Sequence, residues 1–380
     1  MKLPPRPVRR WVLDPLWPPL AVVLVAGLLV VAVLGAVTWP VTRRARVTRL
    51  ALLAALYLAL NTGLLVACAA LWLAHPRPGR RDEDRWLDAH AALLRWALAR
   101  LRRASGPLLG FRVELEEPPQ PGRLDAGPLL VLARHAGPGD SFTLVEMLLT
   151  RYRRRPRIVL KEILQWDPGL DVILNRLRAC FLPPHPSAGP DGASEALADR
   201  LADLARDLHG SDVMLLFPEG GNWTPGRYQK ALARLRRRSH RQAAADAEQN
   251  PNVLPPRPAG VLACLAARPG LGIAVIAHTG LEDLISPATV WRALPLRDRP
   301  MTVRWWYVPP GSIPAGPDRQ YQWLRLQWAL VDSWIGARKA QAGQEEPALP
   351  LTDLPLTDLP AADLPGPDGQ EADPLLDTPG

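Results

Sequence analysis

Two apolar blocks open the chain. No charged residue occurs from Pro15 to Thr42, where Leu20–Val37 is an almost unbroken run of Leu, Val, Ala and Gly, and none from Leu50 to Ala74. Each block is close to or above the roughly 18–20 apolar residues that cross a bilayer as a helix. Helices are therefore expected at about 18–39 and 50–74. The first block exceeds the roughly 7–15-residue apolar part of a cleavable signal peptide, and a second block follows at once, which favours a membrane hairpin over a leader. Trp17, Trp39 and Trp72 sit near the block ends, where interfacial aromatics belong. Asn61-Thr62-Gly63 interrupts the second block, so a re-entrant or interfacial helix is the alternative there. From 82 to 104 apolar and basic positions alternate at helical spacing (Trp86, Leu87, Leu93, Leu94, Ala97, Leu98, Leu101), which predicts an amphipathic helix near the membrane.

Beyond it the pattern changes to short apolar runs separated by helical stretches. Strands are expected at Phe111–Leu115, Pro128–Ala133, Arg157–Leu160, Val213–Phe217, Leu271–Ala277 and Thr302–Val308. Helices are expected at Phe142–Arg153, Leu170–Arg178, Ser194–Leu208 and Tyr228–Glu248. Such alternation predicts an α/β fold: a mostly parallel sheet flanked by helices. The end is different again. Leu351–Pro355 and Leu356–Pro360 are both Leu-Thr-Asp-Leu-Pro, and Ala361–Pro365 nearly repeats them. Acidic, Pro-rich and too short for a core, this stretch reads as a disordered tail. The chain thus divides into an anchor (1–80), an amphipathic linker helix (81–104), an α/β domain (105–340) and the tail (341–380).

Charge sharpens this picture. The last forty residues hold nine acids and no Lys or Arg, so the rest of the chain sets all 46 basic residues against 28 acids. A body that basic seeks polyanions, either nucleic acid or an anionic membrane surface. The two apolar blocks select the membrane, and no interleaved aromatic platform supports nucleic-acid binding. Lys2, Arg6, Arg9 and Arg10 before the hairpin and Arg77, Arg80, Arg81 and Arg85 after it outnumber Arg43, Arg44, Arg46 and Arg49 in its loop. That bias puts the N-terminus and the main domain in the cytoplasm, on an integral cell-membrane protein. Cys68, Cys180 and Cys264 form no CxxC pair and exclude a Cys-based zinc ribbon.

Candidate chemistry collects where strands end, the usual place for sites in open α/β sheets. Arg134-His135-Ala136-Gly137-Pro138-Gly139-Asp140 follows the strand ending at Ala133. On a straight helix residues five apart lie ~140° apart, but Gly137-Pro138-Gly139 forces a turn that folds Asp140 back onto the imidazole. A carboxylate on one ring nitrogen leaves the other as a general base. The plainer reading is a capping Asp140 and an ordinary loop histidine. A second cluster, Phe217-Pro218-Glu219-Gly220-Gly221-Asn222, ends the strand from Val213. An acid beside two glycines lets backbone N–H groups and one carboxylate approach a ligand closely, or else is a solvated turn.

In this order, about eighty residues apart, the two clusters resemble those of the glycerolipid (PlsC-like) acyltransferase superfamily, which includes the 1-acylglycerol-3-phosphate acyltransferases. The block Val253-Leu254-Pro255-Pro256-Arg257 is similar to the Leu-Pro-Arg block of the lysophospholipid acyltransferase branch, and Lys161 to the lysine opening the family's second motif. The resemblance covers roughly 105–310. It implies an O-acyltransferase in which His135 and Asp140 are catalytic, and Glu219, Gly220, Gly221, Asn222, Lys161 and Arg257 bind the acceptor. The acyl group would come from acyl-CoA or acyl carrier protein as co-substrate, with no bound cofactor and no metal. Backbone N–H groups near Gly137–Asp140 are candidates for holding the thioester oxyanion.

The departures concern the acceptor. Where the family usually has Thr and Arg after Glu-Gly, this chain has Gly221 and Asn222, and Ala179-Cys180-Phe181-Leu182 runs into Pro183-Pro184-His185 in place of an arginine. Asn offers phosphate no charged fork. Either Arg227, Arg257 and backbone N–H groups replace the missing arginines, or the acceptor is not a simple phosphomonoester. The expected reaction is acyl transfer to the hydroxyl of lysophosphatidic acid or a related lysophospholipid. A glycolipid acceptor, thioester hydrolysis and a non-catalytic lipid-binding scaffold are the alternatives. His278, ending the strand from Leu271, either lines the same cleft or is a structural histidine. The Arg runs 151–157 and 234–241 either meet anionic head groups or CoA phosphates, or are solvated faces.

Overall fold

The computed structural model describes residues 3–39, 45–74, 83–116, 127–137, 139–182, 190–237, 241–282, 284, 286–297 and 300–345. The expectations for Lys2, Arg43, Arg44, Arg77, Arg80, Arg81, Pro138 and His185, and for the repeats of the acidic tail, fall outside these residues. In chain order the elements are α1 (Arg6–Val37), α2 (Arg46–Ala74), α3 (Glu83–Leu109), β1 (Val113–Glu116), β2 (Leu129–Ala133), α4 (Asp140–Thr150), β3 (Arg155–Lys161), α5 (Pro168–Arg176), β4 (Cys180–Leu182) and α6 (Pro190–Arg206). They continue with β5 (Asp212–Leu216), α7 (Pro225–Arg237), α8 (Arg241–Gln249), α9 (Pro258–Ala267), β6 (Gly272–Thr279), α10 (Pro287–Ala293), β7 (Met301–Val308) and α11 (Pro317–Glu345).

Seven strands form one sheet in the order β1-β7-β6-β2-β5-β3-β4, parallel throughout except for the β6–β7 pair. The central strands are apolar at every position because both faces are covered. Leu129, Val131 and Ala133 face a layer containing α2, α3, α4 and α5, while Leu130 and Leu132 face α6, α9 and α11. The expected strands are all present, with ends moved by two residues or fewer. The expected amphipathic helix, α3, buries Ala91, Leu94 and Leu98 in the first layer, so its apolar face meets protein.

Two readings need correction. The helix expected over Tyr228–Glu248 is two helices, α7 and α8. The Tyr228 hydroxyl donates to the Ala247 carbonyl at 2.8 Å, whereas a single straight helix would set these residues roughly 28 Å apart. The polar triplet at Asn61 does not interrupt α2, which is continuous through it. Asn61 is polar for another reason: its Oδ1 accepts the Gly169 N–H at 3.2 Å, and its amide and the Tyr57 hydroxyl bond Asp167, the N-cap of α5. A Cβ on Gly169 would lie 2.5 Å from the Asn61 carbonyl, so only glycine permits this approach.

The two apolar helices pack together, with Thr48 Oγ1 donating to the Ala32 carbonyl at 3.1 Å. α1 exposes Val22, Val23, Val30, Val33 and Val37. α2 lies along the α/β layer: Arg46 Nε donates to the Leu294 carbonyl at 3.1 Å, and Cys68 is fully buried. At the start of α1, Arg9 Nε and Arg10 Nη1 donate to Asp171 Oδ2 at 2.9 and 2.8 Å.

Candidate active site

The ends of the three parallel central strands, β2, β5 and β6, converge at the sheet's carboxyl edge. After β2 the chain turns sharply, and His135 Nδ1 meets Asp140 Oδ1 and Oδ2 at 3.0 and 2.9 Å. Asp140 is fully buried and also accepts the N–H groups of Ala136 (2.7 Å) and Gly137 (3.1 Å) and the Ser141 hydroxyl (3.1 Å). Burial opposes its ionisation, but the hydrogen bond from His135 and the Gly137 N–H outweigh it and hold the carboxyl down at about 2. A carboxylate fixed on Nδ1 selects the tautomer. His135 Nε2 has no hydrogen-bond partner among the described residues, and the side chain keeps 19% exposure. The ring leans on Phe217, centroids 4.6 Å apart.

This arrangement bears on the expected oxyanion donors. The Ala136 and Gly137 N–H groups serve Asp140, and the Asp140 N–H serves the Gly137 carbonyl at 3.4 Å. Pro138 has no N–H. Of that loop, the Gly139 N–H has no acceptor among the described residues.

The loop after β5 is tied to the first by the Trp223 N–H, which donates to the His135 carbonyl at 2.6 Å. Glu219 lies beneath the surface at 2% exposure. Its Oε1 accepts Trp328 Nε1 at 3.2 Å, and Oε2 has no partner among the described residues. Burial pushes this carboxyl up to about 8, although the Arg134 guanidinium and the Trp328 hydrogen bond pull the other way. Gly220 adopts φ +69°, and a Cβ there would lie 3.0 Å from the Arg257 guanidinium. A Cβ on Gly221 would lie 3.1 Å from Arg227 Nη1, which donates to the Asn222 carbonyl at 3.2 Å. Two arginines therefore crowd the two glycines. The Arg257 guanidinium has no hydrogen bond or ion pair among the described residues, and partial desolvation and neighbouring Arg234 hold it below its ordinary value.

Lys161 stands apart, exposed at the end of β3 with no partner among the described residues. His278 is fully buried and neutral in tendency, because burial lowers its basicity. Its Nε2 donates to the Arg134 carbonyl at 2.8 Å and lies 3.6 Å from Asp140 Oδ2. Sequence reasoning missed Trp328 because it missed α11 altogether, although Trp323, Leu324, Trp328, Val331 and Ile335 recur at helical spacing. It placed Arg134 at the head of the first cluster but gave it no role, since nothing in the sequence signals that its side chain is fully buried.

An apolar groove of about 500 Å³ runs between Leu53 and Tyr57 of α2, Leu98 and Leu101 of α3, and Gly139 and Phe142, reaching the loop after β2 at Gly139. Among the described residues no three His, Cys, Asp or Glu side chains group closely enough to hold a metal ion.

Comparison with known proteins bears on residues 111–255, which match the acyltransferase family. His135, Asp140 and the Glu219–Asn222 loop lie inside that span, and Arg257 just beyond it. No curated protein sequence matches the chain. Among solved structures, the 1-acyl-sn-glycerophosphate acyltransferase PlsC from Thermotoga maritima is similar over 78% of this chain and 98% of its own, at 15% identity and a TM-score of 0.48.

Proposed function

We propose, from the match of residues 111–255 to the acyltransferase family, that the chain is a PlsC-like, membrane-associated O-acyltransferase acting on a lysophospholipid. The observation that carries the proposal is the closed His135 Nδ1–Asp140 contact, 2.9 Å, with Nε2 left without a protein partner. Nε2 takes the proton of the acceptor hydroxyl as its oxygen attacks the carbonyl carbon of an acyl thioester, acyl-CoA or acyl carrier protein. The new C–O bond forms a tetrahedral oxyanion. Its collapse breaks the C–S bond, and the departing sulfur receives the proton from the imidazolium. Asp140 stabilises that imidazolium, and base assistance of this kind is worth roughly 10²–10⁴-fold. The Gly139 N–H, without an acceptor among the described residues and on a residue that lines the groove, is the candidate oxyanion donor.

The groove of about 500 Å³ suits a fatty acyl chain. Arg227 and Arg257 against Gly221 and Gly220 favour an anionic acceptor headgroup, supplying from α7 and from the Leu-Pro-Pro-Arg block the charge that Asn222 lacks. Backbone atoms of Gly220 and Gly221 then border the headgroup. Glu219, buried against Trp328, acts from beneath.

Membrane association rests on α1, whose valine face has no protein cover. A hairpin crossing the bilayer would put Arg46 on the far side from Arg9, yet both bond the same folded unit. The hairpin therefore lies along the domain, with α1 embedded from one side, the cytoplasmic side by charge bias. Single cysteines replacing Asp14 and Thr38 are expected to label from the same side of sealed vesicles; labelling from opposite sides would establish a crossing.

The deciding experiment is acyl transfer by detergent-purified protein from labelled acyl-CoA or acyl carrier protein to a panel of lysophospholipids and glycolipids. Label in diacyl product, lost in His135→Ala, is the expected result. Transfer only to glycolipid would reassign the acceptor, and no transfer from either donor by folded protein would leave a lipid-binding scaffold.

A further inference from the structure

The side chain before His135 is among the most constrained in the fold. Arg134 is fully buried, and its guanidinium is divided among separate segments. Nη1 donates to Glu282 Oε1 at 2.6 Å and to the His278 carbonyl at 3.0 Å. Nε and Nη2 both donate to the Asn252 carbonyl, at 3.1 and 2.8 Å. The main chain is held as well: the Arg134 N–H donates to the Ile276 carbonyl at 3.2 Å, and its carbonyl receives His278 Nε2 at 2.8 Å. Glu282 in turn accepts the Thr279 hydroxyl at 2.8 Å and the Gly280 N–H at 2.7 Å.

Taking a guanidinium and a carboxylate out of water is costly unless both are paired and fully hydrogen-bonded. The fold meets that demand directly under the turn that joins His135 to Asp140. Leu281, inside the braced segment, is where that turn rests: a Cβ on Gly137 would lie 3.1 Å from the Leu281 carbonyl, and one on Gly139 would lie 3.8 Å from its Cδ1. The order of contact is Arg134 to Glu282 and His278, then Leu281, then the Gly137–Gly139 turn, then Asp140 and His135 Nδ1.

We infer that Arg134 is a positioning residue for the His135–Asp140 pair: with Glu282 it fixes the 278–282 segment on which the turn between them rests. The inference rests on the proposed role of that pair. Lysine cannot replace arginine here, since a single ammonium does not serve Glu282 and two carbonyls in the planar spread of a guanidinium.

The test uses the full chain in detergent. Arg134→Met with Glu282→Gln removes both charges and leaves neither orphaned. Glu282→Gln alone is the milder second variant should the double variant not fold. Thermal melting establishes folding, steady-state acyl transfer separates kcat from KM, and the low-field proton NMR signal of the His135 Nδ1–Asp140 hydrogen bond, assigned by its loss in His135→Ala, reports the geometry. A folded variant is expected to keep its KM values, lose kcat by about 10²-fold, as misplacement of a catalytic group does, and shift or broaden the signal. A folded variant with wild-type kcat and an unmoved signal would overturn the inference. If the wild-type protein transfers no acyl group, the function proposal fails separately, and the NMR signal alone decides: shifted in the folded variant, Arg134 positions the pair; unmoved, it does not.

Discussion

The loops after β2 and β5 meet at one site and are built on opposite terms. The first is closed on itself: Asp140 is fully buried and its oxygens are occupied by His135 and by donors of its own turn. The second is left open: among the described residues Glu219 Oε2 has no partner and Arg257 no counter-charge, and two glycines carry no side chains. A closed loop fixes one geometry, as proton transfer needs. An uncompensated cluster of like charge repels itself until an anion arrives, as binding needs. On the proposed function, the closed loop carries the reaction and the open loop the recognition.

Substitutions sharpen that contrast. The largest effect belongs to the closed loop. His135→Ala and Asp140→Asn are each expected to lower kcat by roughly 10²–10⁴-fold, read as initial rates of diacyl product. Asp140→Asn also presents an amide to the Ala136 and Gly137 N–H groups. In the wild type, the stabilising share of Asp140 is complete above its unfolded value near 4 and is lost as pH falls through about 2. Acid unfolding curves for the two proteins should diverge above that range.

In the open loop the effect moves to KM. Arg257→Ala is expected to raise the KM for an anionic acceptor roughly 10–100-fold, the ~1.5–3 kcal/mol of a charge-assisted hydrogen bond, with kcat nearly kept. An equal fall in kcat at unchanged KM would erase the contrast between the loops. Glu219 supplies a stability signature with the opposite pH sense from Asp140. Its folded value is raised to about 8, so the protonated form stabilises the fold and that stability declines as pH rises from about 4.5 to 8. The slope has an upper limit of about 1.4 kcal/mol per pH unit. Glu219→Gln should flatten the pH dependence of Tm over that interval. The smallest effect lies outside both loops: Gly169→Ala, which sets a methyl against the Asn61 carbonyl, should destabilise by about 1–3 kcal/mol through overpacking.

Much of this was legible in the chain. Parallel strands covered on both faces leave continuous apolar runs, so Leu129–Ala133 and Asp212–Leu216 announced themselves within a residue. Gly137 and Gly139 announced the turn that brings Asp140 to His135. What stayed illegible depends on long-range partners. Asn61 reads as a flaw in an apolar helix until Asp167 and Gly169 arrive from more than a hundred residues away. Glu219 reads as solvated until Trp328 covers it. Arg227 and Arg257 gain meaning only when the glycines they crowd are located.

One wall of the apolar groove is α2 itself, through Leu53 and Tyr57. On the proposed function, the anchor is thus a working part of the acyl-chain chamber. A version trimmed to residue 83 would gain solubility by opening that chamber to water, and grafting on a foreign membrane helix would restore the address without restoring the room. A fatty chain entering beside α2 could pass from lipid to His135 along protein, without an aqueous leg to its journey.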